Sequence, residues 1–149
     1  MIKSVFDANV VAVGIPAETG TLAVLFDRWF AGDFELVVSE FILGEVRITW
    51  AKPYWRARMT AQRVEASLNL LRRRSEITPI TVTIEGVASH PEDDMVLATA
   101  LSAEAEYLVS GDRELRDLRS YGQVKIVSPA TFLAILDAQP GSPTPIPQP

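Results

Sequence analysis

The chain has 149 residues, a single histidine, no cysteine and a formal net charge of −5 at pH 7. Hydrophobic residues make up 48% of the sequence, which is enough for the core of one globular domain. The lack of cysteine excludes disulfides, thiolate zinc sites and cysteine nucleophiles, and one histidine excludes a histidine-rich metal site. No apolar run approaches the ~20 residues of a membrane span, and Asp7 argues against a signal peptide. We therefore expect a cytoplasmic protein that does not bind membranes.

Strand-like apolar runs alternate with amphipathic segments along the chain. Because such alternation is typical of a parallel sheet covered on both faces, we expect an α/β fold, a three-layer α/β/α sandwich with a central, mainly parallel sheet. The domain should span residues 1–137, and a Pro-rich flexible tail should span 138–149. The pattern predicts strands at 2–6, 34–38, 107–110 and 124–127, a non-central strand at 77–84, a loop around Gly14 and Pro16, and helices at 19–31, 40–51, 60–74, 91–103, 112–118 and 129–137.

Four acidic residues lie where this fold would bring carboxylates together. Asp7 and Asp112 directly follow predicted strands, and the carboxyl ends of parallel strands form the functional edge of such sheets. Glu45 lies on the apolar side of a predicted helix, next to Val46, and Asp94 lies in the first turn of another. Converging carboxylates repel each other, and a bound divalent cation offsets that repulsion. The pattern indicates a metal-dependent enzyme with an all-oxygen site.

Three of the four acids, taken singly, also have a structural interpretation. Asp7 could cap a turn, Asp94 could interact with a helix dipole, and Asp112 could cap the helix that follows it. Glu45 has no such role, because a carboxylate between apolar neighbours on a helix does not help the helix to form. The joint placement of all four therefore favours a site.

Positive charge is concentrated between residues 46 and 75. This segment contains eight basic residues and a single acid, Glu65, whereas the whole chain is acidic. Such asymmetry indicates an anionic partner at one face, and the alternative is a solvated helical hairpin whose arginines pair with acids elsewhere. The candidates for contact with a partner are Arg47, Lys52, Arg56 and Arg58.

The acidic segments resemble, in order, the four motifs of PIN domains, and the resemblance extends over residues 1 to about 137. The first motif is an apolar strand ending in Asp with a polar residue two positions later, and the second is a helix presenting one Glu. The third is an Asp followed by an apolar helix with alanines, and the fourth is a strand leading to an Asp. The matching segments are residues 5–10, 39–46, 93–100 and 107–115.

This resemblance implies an activity and a set of partners. PIN domains are Mg²⁺- or Mn²⁺-dependent nucleases that act mostly on RNA, and many small members are VapC-like toxins of type II toxin–antitoxin modules. The chain would thus be an endoribonuclease in which a metal-activated water hydrolyses RNA phosphodiesters, with a cognate antitoxin and a homodimeric state. The basic candidates would contact RNA or the antitoxin. The implied metal-binding and catalytic residues are Asp7, Glu45, Asp94 and Asp112, with Asn9, Ser110 and Asp93 as polar support.

Two further assignments concern the residues around the third motif. Asp94 is preferred to Asp93 because its spacing to Leu97 and Ala98 fits the third motif better. His90, immediately before Pro91, is expected to support the start of a helix rather than to act in catalysis.

Two other functions compete with the nuclease. One is an inactive PIN scaffold that only binds RNA or an antitoxin. The other is a haloacid-dehalogenase-type phosphatase, which also places an Asp after the first strand. That chemistry normally uses a second acid two residues later, where this chain has Asn9, and a mid-chain lysine for which Lys52 is the lone and poorly placed candidate.

Overall fold

The structure is a computed structural model that describes residues 1–140, so most of the predicted tail lies outside the described residues. Within that range six strands form one sheet: β1 (Lys3–Phe6), β2 (Glu35–Val38), β3 (Glu76–Ile77), β4 (Tyr107–Val109), β5 (Ser120–Tyr121) and β6 (Val124–Val127). Their order is β3-β2-β1-β4-β6-β5. Every neighbouring pair is parallel except β5 with β6, which confirms the mainly parallel central sheet.

The helices alternate with the strands along the chain. They are α1 (Ala8–Gly14), α2 (Thr21–Phe30), α3 (Glu40–Trp50), α4 (Pro53–Arg56), α5 (Ala61–Arg74), α6 (Pro91–Ser102), α7 (Arg113–Asp117) and α8 (Pro129–Asp137). None of the helices within residues 1–140 combines the length and the apolar character needed to cross a membrane.

The core explains why the sheet is covered on both faces. Val5 and Phe6 are consecutive on β1, so their side chains point to opposite faces, and both are fully buried. Phe6 makes edge-on contacts with Phe26 of α2 and Phe132 of α8, which pack on the same side of the strand. Burial of both faces of a strand requires a helix layer on each side, and the predicted α/β/α sandwich is confirmed.

Helix starts follow the local signals in the sequence. Ser39 caps α3 by accepting a hydrogen bond from the Ile42 N–H at 3.3 Å, and Ser128 caps α8 in the same way from Thr131 at 3.1 Å. Asp112 caps α7, with its Oδ1 accepting from the Glu114 N–H at 3.0 Å. The structural role considered for Asp112 is therefore real, and it places the side chain at a defined position after β4.

Four elements differ from the sequence-based expectation, and one of them is the four-residue helix α4, which was not predicted. The segment predicted to be a loop after β1 is helix α1. The free energy gained by burying Val10 and Val11 there outweighs the low helix propensity of valine. The expected strand at 77–84 is limited to β3 at the sheet edge, and residues 78–90 have no regular secondary structure. Strand β5 was not predicted, because its two residues are too few to give a periodic signal.

Candidate functional site

A cleft at the carboxyl edge of the sheet collects most of the acidic candidates. Asp7 follows β1 and Asp112 lies three residues after the end of β4, and the parallel pairing of these two strands brings their carboxyl ends together. Helix α3 contributes Glu45 and the first turn of α6 contributes Asp93. The cleft has a volume of about 200 Å³, and we call it the carboxylate cleft. It is lined by Asp7, Ala8, Asn9, Glu45, Thr49, Lys52, His90, Glu92, Asp93 and Asp112.

Ser110 connects the two strand-end acids. Its hydroxyl donates to Oδ2 of Asp7 at 2.9 Å and accepts from the backbone N–H of Asp112 at 3.0 Å. Ser110 itself is fully buried, and the Asp7 N–H continues the strand pairing by donating to the Val109 carbonyl at 2.9 Å. The backbone of both acids is thus fixed relative to the sheet, and one oxygen of Asp7 is oriented by the serine.

Glu45 and Asn9 complete the strand side of the cleft. Glu45 is half-buried, and within residues 1–140 its carboxylate has no hydrogen-bond or ion-pair partner. Its backbone carbonyl accepts from the Thr49 hydroxyl at 2.9 Å, one turn later in α3. The expectation that Glu45 projects from its helix without a structural partner agrees with this geometry. Asn9 is exposed and reaches the cleft from the first turn of α1.

The structure separates Asp93 from Asp94 and does not place the preferred one in the cleft. Asp93 lines the carboxylate cleft, whereas Asp94 is only 6% exposed and is directed toward the segment that precedes α6. Oδ2 of Asp94 accepts from the Gly86 N–H at 2.9 Å and Oδ1 accepts from the Ala88 N–H at 2.7 Å. Both oxygens of Asp94 are therefore engaged in holding this segment against α6. The choice of Asp94 over Asp93 does not fit this geometry.

Helical spacing could not have decided between these neighbours. Asp94 is followed by buried Leu97 and Ala98 at i+3 and i+4, but Asp93 is followed by buried Val96 and Leu97 at the same spacings. What distinguishes them is the irregular segment that folds over Asp94. No periodic pattern in the sequence marks where that segment lies.

The electrostatics of the carboxylate cleft show that its acids repel one another. Burial, followed by repulsion from Asp7 and Asp112, raises the pKa of Asp93 from 3.8 to about 6. Burial also raises the pKa of Asp7, an increase that hydrogen bonding from Ser110 and the Ala8 N–H opposes and that Asp112 reinforces. A divalent cation would relieve this repulsion, and the oxygen donors of the cleft suit a hard cation such as Mg²⁺ or Mn²⁺.

The carboxylates do not form a ready-made coordination cluster. Over the described range, residues 1–140, no three acidic or histidine side chains are arranged so as to hold a metal ion together. Mg²⁺ commonly retains several waters and binds directly to only one or two carboxylates. The donor chemistry therefore suits such an ion, which one or two of these carboxylates would hold directly.

Sequence reasoning did not assign His90, Glu92 or Thr49 to the site, yet all three line the cleft. His90 is the residue that precedes α6, and its Nε2 lies 3.8 Å from Oε2 of Glu114 on α7. Proximity to the third acidic segment was the available signal, since His90 precedes Asp93 by three residues. The expected role at a helix start is compatible with this position, which also places the ring at the cleft.

The basic segment does not form one continuous open surface. Arg47 forms a bidentate ion pair with Glu65, and Arg58 lies over the Tyr54 ring, 3.6 Å from its centroid. Arg56 lines a separate cavity of about 500 Å³ between α3 and α5. Of the four contact candidates, Lys52 alone lines the carboxylate cleft. The interpretation in which arginines pair with acids is therefore partly confirmed, and contact with an anionic partner stays a prediction.

Comparisons with known proteins place this fold and site in context. The chain resembles a chain in the structure of VapBC2 from Rickettsia felis bound to a DNA fragment from their promoter, with a TM-score of 0.60 and 11% identity over 85% of this chain and 98% of that one. It also resembles PAE2754 from Pyrobaculum aerophilum, with a TM-score of 0.59 and 18% identity over 93% of this chain and 91% of that one. A search of curated proteins found no match.

At these identities the two structures show a shared fold and nothing further. The sequence carries more specific information, because the family model described as PIN domain matches residues 3–114, most of the chain. The matched range contains the strand ends and helices that build the carboxylate cleft. The chain belongs to the PIN domain family.

Proposed function

We propose that this chain is a Mg²⁺- or Mn²⁺-dependent endoribonuclease. PIN domains are nuclease-like, which supports a hydrolase at a coarse level. The observation that carries the finer proposal is the convergence of Asp7, Glu45, Asp93 and Asp112 on one cleft at the carboxyl edge of the sheet. This set differs from the sequence-based one at a single position, because Asp93 replaces Asp94.

The cleft has the donors that a divalent cation requires. Asp7, Asp93 and Asp112 would hold it, with Glu45 on the side of α3. When bound, such a cation would activate a water for attack on a phosphodiester and offset the negative charge that develops on the phosphate. The negative charge of the acids would also repel RNA phosphates, so RNA would enter the cleft productively only when the cation is bound.

The protein's own contribution is to position these groups. The Ser110 hydroxyl orients Asp7 relative to Asp112, so the two strand-end acids are held as a unit. Asp94 supports the site indirectly, since its two hydrogen bonds fix the segment that leads into His90 and Asp93. We therefore assign Asp94 a structural role and Asp93 a role at the cation.

Toxin function is the second part of the proposal. The resemblance to a chain in the VapBC2 structure supports a toxin that has an antitoxin partner. A homodimeric state stays an expectation from the PIN family, and a cytoplasmic location stays the default expectation. A small adjoining reading frame that encodes an antitoxin-like protein would support this part. Its absence would remove the toxin assignment and leave the nuclease assignment unchanged.

The nuclease assignment can be tested with purified full-length protein and labelled single-stranded RNA. We expect endonucleolytic cleavage with Mn²⁺ or Mg²⁺ and none in EDTA. Asp7→Asn should reduce the rate on the order of 1,000-fold, because it weakens the cation's most strongly oriented carboxylate. Asp27→Asn is the matched control, since Asp27 is exposed on α2 and does not line the cleft, and it should leave the rate unchanged.

Two results would contradict the nuclease assignment. Cleavage that persists in EDTA or in Asp7→Asn would show that the activity does not come from this cleft. RNA binding without cleavage in every divalent metal would instead favour the inactive scaffold.

A further inference from the structure

Lys52 is the one lysine or arginine that lines the carboxylate cleft within the described part of the chain. Its backbone is well fixed, because its N–H donates to the Thr49 carbonyl at 3.1 Å and its own carbonyl accepts from Trp55 at 3.0 Å and Arg56 at 2.9 Å. Pro53 follows at the start of α4 and restricts Lys52 to the extended backbone conformation that it adopts, with φ −69° and ψ 151°. The base of the side chain is thus held at the rim of the cleft.

The ammonium of Lys52 is not committed to a protein carboxylate. Across residues 1–140 it takes part in no ion pair, although Asp7, Glu45 and three other acids line the same cleft. Other cations of the basic segment are engaged, since Arg47 pairs with Glu65 and Arg72 pairs with Glu40 in a bidentate manner. Lys52 is therefore available to an anion that enters the cleft.

A phosphodiester that approaches this cleft meets five carboxylates and one lysine. A divalent cation offsets part of the negative charge, but it does so at the position of the acids and not along the path of the RNA backbone. Lysine carries a compact charge with three rotatable donors on a flexible stem, which suits non-bridging phosphate oxygens that arrive from solvent.

We propose that Lys52 is the phosphate-binding residue of the carboxylate cleft, contacting a non-bridging oxygen of the RNA backbone next to the cation. This inference rests on the proposed ribonuclease function and adds a substrate contact to it. The alternative role is structural, in which Lys52 only lowers the repulsion among the carboxylates. The two roles differ in what they predict for RNA binding and its dependence on salt.

The decisive experiment measures binding of labelled single-stranded RNA to full-length protein with saturating Mn²⁺ over a series of salt concentrations, in an Asp7→Asn background in which the proposed reaction is slowed. Lys52→Ala should weaken binding about 10-fold and reduce the slope of log K against log[salt] by about 0.7, the value for one contact to a single strand. Lys52→Arg should restore most of the affinity, because it keeps the charge.

Arg63→Ala is the matched control for this measurement. Arg63 lies in the same basic segment, is exposed and has no ion pair among residues 1–140, but it does not line the carboxylate cleft. Its removal should change the affinity by less than about twofold and leave the salt slope nearly unchanged. An equal effect of Lys52→Ala and Arg63→Ala would overturn the proposal, because general attraction of RNA to the basic segment would then suffice.

Cleavage kinetics with Mn²⁺ give a second readout. Lys52→Ala should raise KM more than it lowers kcat, as expected for loss of a contact made in the bound ground state as well as in the transition state. A structural role would instead change the thermal stability of Lys52→Ala and leave the salt slope of RNA binding intact, and that outcome overturns the proposal. Loss of antitoxin binding with unchanged RNA binding also overturns it.

Failure of this inference can be distinguished from failure of the proposed function. If the wild-type protein cleaves RNA with Mn²⁺ and Lys52→Ala behaves like the wild type in binding and in KM, the nuclease stands and the Lys52 assignment is wrong. If the wild-type protein binds RNA with the predicted dependence on Lys52 and never cleaves it, the nuclease is wrong and the phosphate contact stands.

Discussion

Asp93 and Asp94 are adjacent in the chain, but their effects on the stability of the fold have opposite signs. Asp94 is almost fully buried and accepts two backbone hydrogen bonds, and these bonds compensate for the burial of its charge. Asp93 faces Asp7 and Asp112 across the carboxylate cleft, and its charge is opposed by theirs. One acid thus stabilises the fold, and the other is kept at a cost in stability that is typical of functional sites.

The loss of folding stability caused by Asp93 should depend on pH. Its pKa is raised from 3.8 to about 6, so the folded protein holds a proton that the unfolded chain releases, and the corresponding stability is lost as the pH rises through that window. The full shift corresponds to about 3 kcal/mol, and solvent screening of this partly exposed group reduces the expected loss to about 1 kcal/mol.

Asp93→Asn should therefore stabilise the metal-free protein by about 1 kcal/mol near neutral pH and by little near pH 4. The measurement is chemical denaturation in EDTA at both pH values, compared with the wild type. Stabilisation of equal size at both pH values would contradict an origin in the ionised carboxylate. A residual pH dependence should persist in the variant, because the pKa of Asp7 is raised as well.

At the scale of the elements, α1 shows how tertiary contact overrides local propensity. Its valines favour a strand, but Val11 and Ala12 are fully buried against neighbouring helices. Gly14 allows the end of α1 to approach α2 closely, since a Cβ at this position would lie 2.2 Å from Cε2 of Phe26. Phe26 is itself only 2% exposed and is surrounded by other aromatic rings, so it cannot move aside freely.

Two glycine-to-alanine substitutions test this packing. Gly14→Ala should destabilise the protein by about 1–3 kcal/mol, because the added methyl group overpacks the contact with Phe26. Gly44→Ala in α3 should stabilise it by about 0.5–1 kcal/mol, because a methyl group added there would meet no heavy atom of another element within 4 Å and alanine favours a helix. Free energies of unfolding from urea titrations check both, and a change of the same sign in the two variants would contradict the account.

Elements with strong local signals could be predicted from the sequence. Strand β6 was predicted with its observed bounds, and the helix predicted at 40–51 matches α3 to within one residue. Helix α1, strand β5 and the short extent of β3 could not be predicted, because each depends on a contact partner distant in the chain. The strand at 77–84 was correctly predicted as non-central, but the sequence did not show where its pairing stops.

For the whole molecule, the site depends on strand order. The position of β1 between β2 and β4 brings Asp7 and Asp112 to one edge, although 104 residues separate them in the chain. The rule that parallel strands present their carboxyl ends together was enough to predict that Asp7 and Asp112 lie at this edge, and Glu45 of α3 lines the same cleft. Asp94, which the sequence favoured, does not line the cleft, whereas Asp93 does, and the irregular segment that folds over Asp94 has no periodic pattern that could have predicted this.

The central claim is that Asp7, Glu45, Asp93 and Asp112 bind the cation of a nuclease, and Mn²⁺-dependent RNA cleavage by Asp93→Asn and Asp94→Asn tests it most directly. The account predicts that Asp93→Asn loses at least about 100-fold in rate while its melting temperature is maintained or raised. Asp94→Asn should lose about 2 kcal/mol of stability and keep most of its activity at temperatures where it is folded. An active Asp93→Asn beside a folded but inactive Asp94→Asn would contradict the assignment.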